Sequence, residues 1–405
     1  MSTPCAKAPM APPACKGVAV AAIDRLRIGL RAVARVAAPL LKLLGLAGGA
    51  LLSHQARAVD LPEERSEAMV HIYDGGGVRA TGPAILVRKN IADKVSLTGN
   101  LYIDMVSNAS IDVVTTASPY RETRTEFGLG LDHTVRDTLI HVGLTRSSEP
   151  DYRATTASLD VSQEVFGGMT TVSLGFGRGQ DDVGKHGQSG YFDHATHWQY
   201  RLGATQILSP RWLLSANAEA MADDGFLGSP YRVAQVFGSA VPERVPRTRS
   251  ARALKFRLLG DVSEAGGPRT AVHADYRYYR DTWAIQAHTL EVGASRYLGE
   301  GGLKGTLADA FVRLNRQGDA LFFSDNASSE TLYVTRNRQL SAFTSFSLGG
   351  KLSQAVKGST ARYDLRLTAA YELVHFNYSR FTDIRTGQRY SFNGHVLQLV
   401  ANAKF

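Results

Sequence analysis

Two histidines three residues apart, in Asp193-His194-Ala195-Thr196-His197, are the first place in this chain to look for metal chemistry. A tetrahedral ion needs both imidazoles on one side. On a β-strand, residues three apart point to opposite faces, so the pair shares an ion only if the segment is a loop. Gly175-Phe176-Gly177-Arg178-Gly179 has the glycine spacing of a phosphate loop. No helix follows to hold the anion at its N-terminus, and the run reads as the upper end of a strand. Asp181-Asp182 offers oxygen ligands for a divalent ion, including lipopolysaccharide-bound calcium, but fits a solvated loop more simply. Ser107, Ser110, Asp104, Asp112, His133 and His141 supply the residue types of a Ser/His or Asp/His hydrolase, a set that composition alone produces. The sequence therefore assigns no catalytic residue, no metal ligand and no cofactor.

The chemistry with a pattern is charge at alternate positions. Asp104, Glu122, Arg124, Glu126, Asp132, Lys255, Arg257, Asp275, Arg277, Glu291, Arg366 and Glu372 all fall opposite apolar residues in runs of period two. In Asp93–Ser107, Val95, Leu97, Leu101, Ile103 and Met105 share one face, and Ser96, Thr98, Asn100, Tyr102 and Asp104 the other. The same alternation recurs over Tyr120–His133, Thr270–Tyr278 and Arg362–Leu373. Charges of both signs on one face and aliphatics on the other suit a strand between lipid and a watery lumen. Asp104, Glu122, Arg124, Glu126, Asp132, Asp275, Arg277, Glu291, Arg366 and Glu372 are the candidate lumen-lining residues. They tune a solute pathway, or they pair to fill and stabilise a closed interior.

The elements that must position them are strands. A run of about 18 apolar residues, the least a helical span needs, does not occur. Sixteen candidate strands begin near residues 65, 78, 93, 120, 138, 151, 168, 190, 211, 247, 269, 284, 303, 338, 360 and 391. Tight connections alternate with longer ones, such as 108–119, 179–189, 222–246, 316–338 and 379–390. That is the habit of membrane barrels, whose termini and short turns share one side. The expected fold is all-β: a single transmembrane antiparallel barrel of about 16 strands, between roughly 14 and 18.

Residues 1–58 read as an export signal with a long basic n-region, and 59–405 as the barrel. The apolar run Leu43–Leu52 is followed by Ala56-Arg57-Ala58, small residues at the positions a signal peptidase reads. This segment holds eight of the 46 basic residues and one of the 37 acids. The remaining 38 and 36 leave a net charge of only +2, which removes the support for nucleic-acid binding. Both cysteines, Cys5 and Cys15, also lie there, so the barrel has no thiol chemistry. At the other end, Gly394–Phe405 alternates Leu397, Leu399, Ala401, Ala403 and Phe405 with Gln398, Val400, Asn402 and Lys404. A closed barrel pairs its last strand with its first. Phe405 reads as a signal to the barrel assembly machinery.

Ile103–His133, IDMVSNASIDVVTTASPYRETRTEFGLGLDH, resembles the signature of a functionally uncharacterised family of Gram-negative exported proteins, a numbered domain of unknown function regarded as outer-membrane β-barrels. Pro242–Leu258, His273–Gly293 and Leu340–Leu352 extend the resemblance, and Leu307–Arg316 departs from the family's Tyr-rich strand. The resemblance implies the cell outer membrane as location, its lipid and lipopolysaccharide as surroundings, and a weak link to a small periplasmic lipoprotein and to periplasmic redox or flavin biology. The function expected is a pore, transporter or export partner of unassigned cargo. The alternatives are an outer-membrane hydrolase with a rim active site and an anchoring barrel without conductance.

Overall fold

The computed structural model describes residues 59–108, 110, 120–185, 190–298, 305–356 and 363–405. The export segment 1–58 lies outside these, as do Asp112, Arg362 and the expected turns after Leu298 and Val356. Among the described residues eighteen strands form: β1 (Arg65–Gly75), β2 (Val78–Ala92), β3 (Val95–Asn108), β4 (Tyr120–Val135), β5 (Thr138–Ser148), β6 (Tyr152–Val165), β7 (Thr170–Gly184), β8 (Tyr191–Ser209), β9 (Trp212–Gly225), β10 (Val233–Val236), β11 (Ser239–Pro242), β12 (Thr248–Asp261), β13 (Thr270–Asp281), β14 (Gln286–Leu298), β15 (Thr306–Gln317), β16 (Phe343–Val356), β17 (Asp364–Thr382) and β18 (Arg389–Lys404). All but the β10–β11 hairpin close into one barrel of sixteen strands. Each expected start falls within five residues of an observed one. Every barrel neighbour is antiparallel, and β1 pairs with β18 from Arg65↔Lys404 to Gly75↔Gly394, so no edge is left.

Period two dictates the two faces. Leu97, Leu129, Leu144, Leu202, Leu348 and Leu399 stand outward, each between 43% and 53% exposed, while Ser96, Thr98 and Asp132 behind them are buried. An exposed aliphatic belt around the whole circumference is the inverse of a soluble protein's surface and matches a lipid-facing wall.

The connections segregate by end. Short turns such as Arg136-Asp137 and Pro210-Arg211 share one end with the residue that follows β18. The opposite end, the loop end, carries 226–247, 318–342 and 383–388, and also the tight β1–β2 hairpin. Gly76 and Gly77 both take positive φ there, 58° and 78°, as a two-residue hairpin demands.

Two expected loops are shorter than the sequence indicates. β7 continues to Gly184, where Asp182 pairs with His194, and β17 continues to Thr382. Beyond the aliphatic belt neither face needs to be apolar, so the ladder persists after its sequence signal has gone. The long β9–β12 connection also folds into the β10–β11 hairpin and docks on the β15–β16 connection. Val236 bridges Ala327, and Arg244 bridges Val334. Ala234, Val236, Ala327 and Val334 form a small core between them.

Candidate functional site

The inward face of the barrel is a lattice of ion pairs between strands that are adjacent or two apart. On β12 to β17, Asp275 lies 3.1 Å from Lys255 Nζ and 3.7 Å from Arg257 Nε. Arg313 on β15 joins Glu291 on β14, at 2.6 Å, to Glu372 on β17, at 2.9 Å. Its guanidinium lies 5.0 Å from the centroid of the Phe311 ring. That ring occupies the space over Gly349, where a Cβ would come within 2.3 Å of it. Glycine on β16 thus leaves room for the Phe311 ring beside Arg313.

On β1 to β5 the pattern repeats with histidine. His71 Nε2 is 2.6 Å from Asp104 Oδ1 and 3.1 Å from the Tyr102 hydroxyl. Asp132 is buried, with His141 Nδ1 at 2.7 Å and Arg88 Nε at 4.0 Å. Arg124 pairs with Glu126 and also donates to Ser147 Oγ at 2.8 Å. On β6 to β9, Arg201 reaches Asp160 at 2.8 Å. His197 is held between Asp181, 2.7 Å from Nε2, and Asp223, 2.8 Å from Nδ1, and the Tyr152 hydroxyl also donates to Asp181.

The candidate lining residues divide accordingly. Asp104, Arg124, Glu126, Asp132, Asp275, Glu291 and Glu372 are each held by a neighbour of opposite charge or by a histidine. Glu122, Arg277 and Arg366 lie on the same inward face, but no ion pair joins them among the described residues; Arg277 lies over Tyr279 instead, 5.5 Å from its ring centroid. Asp181, expected in a solvated loop, is a buried member of the lattice because β7 continues past it. His194 and His197 do face opposite ways, as a strand requires, and His197 takes two aspartates as partners.

His71, Arg88, Asp160, Arg201, Asp223 and Arg313 were not among the candidates. Parity was the available signal for Arg88, opposite Thr98, and for Arg313, opposite Glu291; His71, Asp160, Arg201 and Asp223 sit on strands that carry no candidate lining residue. Of the hydrolase set, Ser110 follows β3 at the loop end, whereas His133 and His141 lie near the β4–β5 turn at the opposite end, and no triad assembles among the described residues. His273, Asp275 and Glu291 place ligand atoms within 4.8 Å of one another. Lys255, Arg257 and Arg313 already neutralise these carboxylates, which argues for an ion-pair cluster.

Over this lattice, the β15–β16 connection folds onto the inner wall at the loop end. Ala320, Phe323 and Leu340 pack with Trp283, Ile285, Tyr378 and Phe381, and Phe343, Tyr390 and Phe392 adjoin them. Tyr378 pairs with Phe343 in the inward row, so the cluster occupies the mouth. Arg336 donates to the carbonyls of Asp325 at 3.0 Å and Thr382 at 2.5 Å, and lies 4.4 Å from the Phe381 ring centroid. Arg338 reaches the Gly76 carbonyl at 3.1 Å. From the β9–β12 connection, Tyr231 donates to Asp151 between β5 and β6. Phe405 follows β18 with Lys89 Nζ 4.9 Å from its ring centroid.

Among solved structures the chain is similar to a "Bacterial polysaccharide outer membrane secretin" (8% identity, 85% of this chain and 100% of that one, TM-score 0.48). It is also similar to the "CymD monoaromatic hydrocarbon channel" (11%, 85% and 89%, TM-score 0.40) and to a Pseudomonas aeruginosa FadL homologue (12%, 85% and 91%, TM-score 0.39). At these values the likenesses carry no information on cargo. No curated protein matches. Residues 185–372, from just before β8 into β17, match the family described as "Protein of unknown function (DUF3570)", and the resemblance to an uncharacterised family seen in the sequence is met there.

Proposed function

We propose that this barrel spans the outer membrane and serves as a gated conduit for a polar solute, with the β15–β16 connection as its stopper. The observation that carries this reading is the pairing of an aliphatic outer wall with an inward lattice of fixed charges beneath a packed mouth. Fixed charges of both signs hold water and pass polar solutes in lipid surroundings where no other route exists. The stopper sits on aromatic and backbone contacts and is joined to the wall by few strand bonds, so it can leave without unzipping the barrel.

The test is conductance in a planar bilayer, comparing the full barrel with a variant in which residues 319–341 are replaced by a short Gly-Ser linker. The full barrel is expected to be mostly closed with brief openings, and the variant to conduct steadily. A folded variant that never conducts would mean a filled, structural interior and would overturn the conduit.

A further inference from the structure

One pair of arginines faces the wrong way for the lattice. Arg252 on β12 and Arg280 on β13 are direct cross-strand partners, and both are exposed. Their parity is that of Leu254 and Tyr278, the outward face. Neither makes an ion pair or a hydrogen bond among the described residues. Like charges directly opposite on adjacent strands repel, and the lipid boundary screens them less than water would. Such a pair persists where an anion is supplied from outside.

Beside the pair is an outward groove of about 590 Å³. Its depth has a sequence cause. Ala218 and Ala220 on β9 pair with Leu202 and Tyr200 on one side and with Leu254 and Arg252 on the other, so a row of small residues runs between two rows of large ones. Tyr278 completes the wall towards β13. An apolar trough opening at the loop end against two unpaired guanidiniums is complementary to a molecule with an acyl chain and a phosphate. Arginine is the side chain suited to phosphate, because its planar fork donates two parallel hydrogen bonds.

The geometry points to a binding site for a phosphate-bearing lipid, its phosphate bridging Arg252 and Arg280 and an acyl chain lying over Ala218 and Ala220. The site rests on the reading of the aliphatic belt as membrane-spanning. Bound phosphate turns a repulsive pair into two charge-assisted contacts and ties β12 to β13 below their loop-end turns.

The experiment uses the purified barrel in detergent with diphosphoryl lipid A as the probe, followed by native mass spectrometry and by the thermal unfolding midpoint. Lipid A is expected to stay bound and to raise the midpoint. Arg252→Gln with Arg280→Gln should weaken retention about tenfold or more. The same double variant, relieved of repulsion, should unfold no earlier than wild type without lipid, which separates loss of a site from loss of the fold. Ala220→Leu should weaken retention by filling the trough, and Arg296→Gln, outward on β14 at the opposite end, should leave it within about twofold. Millimolar inorganic phosphate should not displace the lipid. Retention unchanged in the double variant, or displacement by inorganic phosphate alone, would overturn the lipid site. Insertion into plain phosphatidylcholine vesicles is measured separately, and its failure would count against the membrane reading.

Discussion

Arg313 joins two carboxylates, Glu291 on β14 and Glu372 on β17, that would otherwise face each other across β15 and β16. Removing it leaves two acids sharing a confined space, whereas removing one acid leaves the other pair intact. Arg313→Gln is therefore expected to lower stability by about 1–3 kcal/mol in a urea titration of the folded barrel, short of a fully buried pair because part of its side chain stays solvated. Glu372→Gln should cost less. On β3 the two faces respond differently. Leu97→Arg places a charge against lipid and should lose about 2–4 kcal/mol of insertion free energy, read as the folded, heat-modifiable fraction. Thr98 is buried and accepts from Arg88 Nε at 3.0 Å, so Thr98→Val should cost about 1 kcal/mol by orphaning that donor. The inward character of Thr98 was plain from alternation. Its burial was not, because it depends on Arg88 arriving from another strand.

At the scale of elements, the strands were legible and the long connections were not. Period two is a local signal repeated over each strand, so their starts could be placed from sequence. The docking of 318–342 on the mouth depends on contacts with Gly76, Thr382 and Tyr390, which no local pattern reports. Nor does hydropathy announce the β10–β11 hairpin, whose small core is completed by Ala327 and Val334. Arg336, buried between Phe381 and two carbonyls, is the anchor to test. Arg336→Ala should make the β15–β16 connection exchange amide hydrogens and admit protease faster while the β15–β16 ladder stays protected; equal protection throughout would show that the connection is held elsewhere. In the β17–β18 connection, Arg385 holds the Asp383 carboxyl below its usual range. A depressed folded value stabilises above the unfolded one, about 3.9, and is lost as pH falls through the folded value. Proteolysis at 383–388 should thus rise only in strong acid, and Arg385→Gln, which leaves the Arg385 backbone hydrogen bond and Arg336 in place, should weaken that dependence.

For the whole molecule, closure is the property from which the rest follows. Ala68 on β1 lies opposite Ala401 on β18, and partners in an antiparallel pair are within reach of a disulfide. Both native cysteines lie in residues 1–58, so a barrel beginning at residue 59 carrying Ala68→Cys and Ala401→Cys has only the new pair. Oxidation should yield a crosslinked peptide from folded protein and none from urea-unfolded protein; its absence from folded protein would mean an open seam.

Closure also bears on the order of events. Arg338, in the segment between the thirteenth and fourteenth strands of the wall, reaches back 262 residues to Gly76 and forward to Tyr390. Its resting place does not exist until the first and last strands have met. A half-built cylinder therefore carries Phe323, Leu340 and Phe381 uncovered. Sealing the mouth becomes the final act of assembly and a report that the circle is complete.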